Sequence, residues 1–118
     1  MSKEVSISFN FVVPADGVLA TARKMASSSK PDEKAVGSTV LELTDITNRT
    51  KAAVEDVRSK ATYDLAVYFD FNFGGSLEAA KRLEKATDKE VGYVAQTLIS
   101  QADAIAKSKA AFQAATKQ

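Results

Sequence analysis

The chain contains no histidine and no cysteine, so the side chains that could do chemistry are acids, paired basic residues, one glycine-rich turn and a few polar aromatics and amides. That composition removes disulfides, thiolate nucleophiles, the usual Cys/His zinc sites and the imidazole general base. Paired carboxylates can do acid–base work without histidine, and Asp64, Asp70, Glu42 and Asp45 are the acids to weigh. Asp64 and Asp70 fall on one polar face of an alternating segment, separated by roughly 20 Å at about 3.3 Å per residue. They cannot act as a pair, and Glu42 and Asp45 read as solvated helix acids. No catalytic, cofactor-binding or metal-ligating residue is predicted, and the chain reads as non-enzymatic.

Three features could bind rather than catalyse. The basic pairs Arg23-Lys24 and Lys81-Arg82 recur at matched places and could contact phosphates or an acidic partner. Gly74-Gly75-Ser76 opens a helix, where unpaired N–H groups can receive an anion, but it lacks the lysine of a P-loop and the spacing of a dinucleotide fingerprint. It reads as a tight turn. Tyr68 is expected on an exposed sheet face beside Ser6, Ser8, Asn10 and Asn72, where tyrosine would supply rigid contact area.

The elements expected to carry these residues are set by periodicity. Val5, Ile7, Phe9, Phe11 and Val13 alternate with mostly polar residues, as do Tyr63, Leu65, Val67, Phe69, Phe71 and Phe73, which predicts two strands. Both segments contain Phe-Asn-Phe, and the residues downstream of them also match: Gly17 to Met25 aligns with Gly75 to Leu83, and Val36-Gly37 with Val91-Gly92. An apolar stripe with steps of four and three runs through Val36, Val40, Leu43 and Thr47 beside Val91, Ala95, Leu98 and Ala102. It predicts long helices over about 31–60 and 88–115. Short helices are expected over about 16–27 and 76–85, with Asp16 and Ser76 as N-caps. Thr39–Thr47 is rich in β-branched residues, but its counterpart in the second copy is helical in character, so helix is expected there too.

The predicted fold is therefore α+β, an internally duplicated β-α-α-β-α-α chain. It has two antiparallel strands packed on four helices, of which the second and fourth are long. It forms one domain over 1–118, with repeats at about 1–61 and 62–118. Length supports this, since 118 residues hold one core and little more. A net charge of +1 is too balanced to imply nucleic acid or an anionic membrane through bulk charge. No apolar leader or bilayer-length run is present, which reads as a cytoplasmic protein. The expected function is a small interaction or assembly protein that binds a macromolecular partner and forms a homodimer. The dimer would arise by pairing of the first strand's edge or through the alanine-rich last helix. A nucleic-acid-binding module using the basic pairs, or a small-ligand-binding protein, is the alternative.

Overall fold

A computed structural model describes residues 11–55 and 60–116. Five helices are present among them: α1 (Asp16–Ala26), α2 (Pro31–Glu55), α3 (Lys60–Phe69), α4 (Ser76–Leu83) and α5 (Lys89–Thr116). No strand occurs among the described residues, so the expected α+β fold is corrected to an all-helical one.

The correction turns on the segment expected to be the second strand. Strand alternation would bury Leu65, Val67 and Phe69 and expose Ala66 and Tyr68. Among the described side chains of α3, over 65–69, Leu65 and Tyr68 are the buried ones, a helical step apart, while Val67 is 38% exposed. The segment is apolar at nearly every position, so it satisfies either period. Its backbone groups are paired within the helix, and the ladder continues one step beyond it from Asp70 N–H to the Ala66 carbonyl. Of the expected first strand, Val5–Asn10 lies outside the described residues. Phe11–Ala15 has no regular structure, although Phe11 packs on Tyr68 with ring centroids 5.5 Å apart.

Around this segment stand two helical hairpins, α1–α2 and α4–α5. Each short helix packs on its own long helix and also on the long helix of the other hairpin. Ser76 beside Thr39 and Arg82 beside Asp32 make α4 antiparallel to α2. The short link 84–88 then turns the chain so that α5 runs alongside α2 in the same direction. Val36, Val40 and Leu43 of α2 and Val94, Ala95 and Leu98 of α5 form the fully buried centre, flanked by Ala22 and Met25 of α1 and by Ala79 and Ala80 of α4.

Threonines inside α2 are accommodated by their own backbone. Thr47 donates to the Leu43 carbonyl at 2.7 Å and Thr50 to the Ile46 carbonyl at 2.8 Å, which satisfies both hydroxyls in the core. Gly37 is buried because α1 crosses directly over it: a Cβ there would stand 2.5 Å from the Ala22 carbonyl oxygen. Neither expected cap caps its helix. Ala15 and Gly75 occupy the N-cap positions of α1 and α4, without side-chain bonds. Asp88 does cap α5, its Oδ1 accepting from the N–H groups of Glu90 (2.9 Å) and Val91 (3.4 Å).

Candidate functional site

The two basic pairs end up alike in position and unlike in state. Both lie in the last turns of short helices, at the same end of the bundle, on flanks that do not touch. Arg23 and Lys24 stand exposed on α1. Arg82 instead grips Asp32 at the start of α2 with two parallel bonds, Nε to Oδ2 and Nη2 to Oδ1, both 2.9 Å. The hydrogen bond from Arg82 holds the Asp32 carboxyl below its ordinary range, and the same bond raises the guanidinium. The acids Glu78, Glu84, Asp88 and Glu90 are interspersed there, so the end of the bundle is mixed in sign rather than a basic patch.

Among the described residues the expected sheet face does not form. Tyr68 is only 1% exposed, wedged between Phe11 and Phe69, and burial pushes its hydroxyl up to about 12. Its place in the core is set by the helical register of α3, which points it opposite to the strand reading. Asn72 accepts a bond from the Gly74 N–H at 2.9 Å and shapes the turn, where Gly74 takes a positive φ of 59°. Ser6, Ser8 and Asn10 lie outside the described residues. In the glycine turn, the Ser76 N–H donates to the Phe73 carbonyl at 3.0 Å. The Ser76 side chain turns inward, where its Oγ lies 2.6 Å from Thr39 Oγ1 and 3.5 Å from the Ala35 carbonyl. This turn ties α4 to α2.

Among the acids, Glu42, Asp45 and Asp70 are exposed. Asp45 pairs with Arg49 one turn along α2, and Asp70 meets Lys109 at 3.8 Å. Glu42 and Asp70, unrelated in the sequence reading, border one groove between α2 and α3 whose floor includes Ile46, Val67 and Phe71. No group of three or more acids able to hold a metal ion occurs among the described residues.

Sequence reasoning passed over Tyr93. This side chain is 60% exposed on α5 and is shared by two shallow grooves. One, of about 280 Å³, runs against Gly17, Val18 and Thr21 of α1; the other, of about 180 Å³, lies against Glu84 and Ala86 before α5. Lys89, Glu90 and Glu84 stand around the ring and carry both signs of charge. The signal was present, since Tyr93 falls off the apolar stripe Val91, Ala95, Leu98, where a large aromatic has no core to fill.

Of the alanines expected to offer a helix surface, Ala95 is buried and Ala102 half-buried, while Ala106 and Ala110 remain exposed. No helix among the described residues is long and apolar enough to cross a membrane. Comparison of the chain with protein-family models, curated proteins and solved structures finds no match.

Proposed function

We propose that this protein is a non-enzymatic interaction or assembly module of the cytoplasm that binds a protein partner, a second copy of itself first, through the face around Tyr93. The observation that carries this reading is Tyr93 itself, a large ring 60% exposed with a groove on either side. Tyrosine is enriched among the residues that dominate binding energy, because it brings wide contact area at small conformational cost. The rim supports a second copy as the partner. Lys89 lies close to Glu84 and Glu90, so two such faces meeting about a two-fold axis could pair opposite charges across the contact.

The alternatives have less behind them. A nucleic-acid module would lean on four cations, of which Arg82 is already committed to Asp32. A small-ligand role would rest on a concave site with convergent polar groups, and the two largest grooves among the described residues, lined by Phe11, Ile99 and Ala104 and by Ile46, Val67 and Phe71, are open to the surface.

Sedimentation equilibrium tests the proposal. The wild-type chain is expected to dimerise at micromolar concentration, and Tyr93→Ala to weaken that dimer at least tenfold, the loss typical of truncating a central aromatic anchor. A wild-type monomer throughout that range, or a dimer indifferent to Tyr93→Ala, would overturn it.

A further inference from the structure

We infer that the groove between α2 and α3 is a docking site for a basic, apolar segment of a separate partner protein. It lies on elements away from the Tyr93 face and does not depend on the role of that face. The groove measures about 450 Å³, room for a few large side chains but not for a folded domain. Its floor is apolar, from Ile46, Val67 and Phe71, and Val67 is 38% exposed although it sits among core-forming neighbours.

The rim decides which chemistry fits. Glu42 stands on the α2 side and Asp70 on the α3 side, both exposed. The cations near them neutralise only part of the rim. Arg49 is bound to Asp45 and Lys109 forms an ion pair with Asp70 at 3.8 Å, while no cation among the described residues forms an ion pair with Glu42. The rim keeps an excess of negative charge, which disfavours a phosphate. A lysine or arginine suits the site twice over, since its methylene stem can lie on the apolar floor while its head reaches a carboxylate. Opposite charge at a rim acts chiefly on the association rate and on the choice of partner. One such side chain beside an apolar residue would engage Glu42 and Val67 together, and a second would compete with Lys109 for Asp70.

Fluorescence anisotropy with a labelled short helical peptide of leucine and lysine, against its leucine–glutamate counterpart, tests the assignment. The lysine peptide should bind at low salt and the glutamate peptide should not. Glu42→Gln together with Asp70→Asn should weaken binding by about three- to tenfold, as expected for two exposed charge contacts. Val67→Ser should weaken it further, and Tyr93→Ala should leave it unchanged. All four positions are exposed, so circular dichroism should show each variant folded. Equal binding of the two peptides, or a Kd unmoved by the rim substitutions, would overturn the assignment. So would an oligomer of the wild-type protein that these substitutions dissolve, because the groove would then hold a second copy's basic residues rather than a separate partner.

Discussion

Ser76 Oγ and Thr39 Oγ1 lie 2.6 Å apart, both buried, and join the first turn of α4 to the middle of α2. The contact links the two hairpins with a buried polar tie, as does the bond that Gln101 donates to Thr44 Oγ1 at 3.2 Å. Removing one partner should cost more than removing both, because a buried hydroxyl left alone keeps its desolvation penalty. Ser76→Ala should destabilise the protein by about 1–3 kcal/mol in urea unfolding. The double variant with Thr39→Val should lose less than the sum of the single losses, giving a coupling of at least about 0.5 kcal/mol. Additive losses would mean that the tie contributes nothing beyond packing.

Gly37 and Gly92 sit at matching places in the two long helices but should respond oppositely to the same substitution. A Cβ at Gly37 would meet backbone atoms of α1, at 2.5 Å from the Ala22 carbonyl oxygen and 2.7 Å from the Ala26 nitrogen. Backbone cannot swing aside as a side chain can, so α1 must shift. At Gly92 the nearest atom is the Glu84 carbonyl oxygen at 3.4 Å, an ordinary contact. Gly37→Ala should therefore cost about 1–3 kcal/mol by overpacking. Gly92→Ala should stabilise by up to about 1 kcal/mol through helix propensity. Chemical denaturation of the two variants side by side checks the contrast.

That contrast also shows how far the sequence was legible. The matched glycines and the stripe through Val36, Val40, Leu43 and Val91, Ala95, Leu98 mark positions that the structure buries in α2 and α5. Thr39–Thr47 is helical despite its propensity because Val40, Leu43 and Thr47 are buried on one helical face, and tertiary packing outweighs local preference. What misled was apolar density. Around Leu65 to Phe69 every residue is apolar, so alternation could be read into a helix, and Tyr68 was assigned to the wrong face in consequence. Ser76 was readable as a cap because serine favours that position, but the approach of α2 offered its hydroxyl a buried partner. No local pattern reports such a tertiary partner. Tyr93 was missed for the converse reason, since the stripe marks what is buried and draws the eye from the large residue off it.

The Arg82–Asp32 pair makes a prediction about charge. Asp32 is held below its ordinary value near 3.8 mainly by the hydrogen bond from Arg82, so its titration midpoint in carboxyl NMR should rise in Arg82→Gln. A carboxyl lowered on folding contributes stability that is present above its unfolded value and lost as pH falls through the folded one. The difference in stability between wild type and variant should therefore shrink below about pH 4. With Arg82 so engaged, the wild-type protein should also fail to bind heparin at low salt. Retention that weakened on replacing Arg23, Lys24, Lys81 and Arg82 by glutamine would restore the nucleic-acid reading.

Tyr68 gives the opposite end of the pH scale. Burial against Phe11 and Phe69 pushes its hydroxyl from 10.0 to about 12, because the phenolate would have to form inside the core. The unfolded chain releases this proton near pH 10 while the folded chain keeps it. Between those values the unfolded state binds fewer protons, and stability must fall as pH rises. Below pH 10 both states hold the proton and the group contributes no slope. Urea midpoints measured from pH 9 to 12 should therefore decline more steeply for the wild type than for Tyr68→Phe, which keeps the ring and removes the ionising group. Tyr68→Ala should cost about 3–5 kcal/mol at neutral pH by emptying the space between Phe11 and Phe69. If Tyr68→Phe and the wild type decline in parallel, the phenol is reached by water in the folded state. The packing of Phe11 across α3 would then be looser than its 5.5 Å ring contact implies.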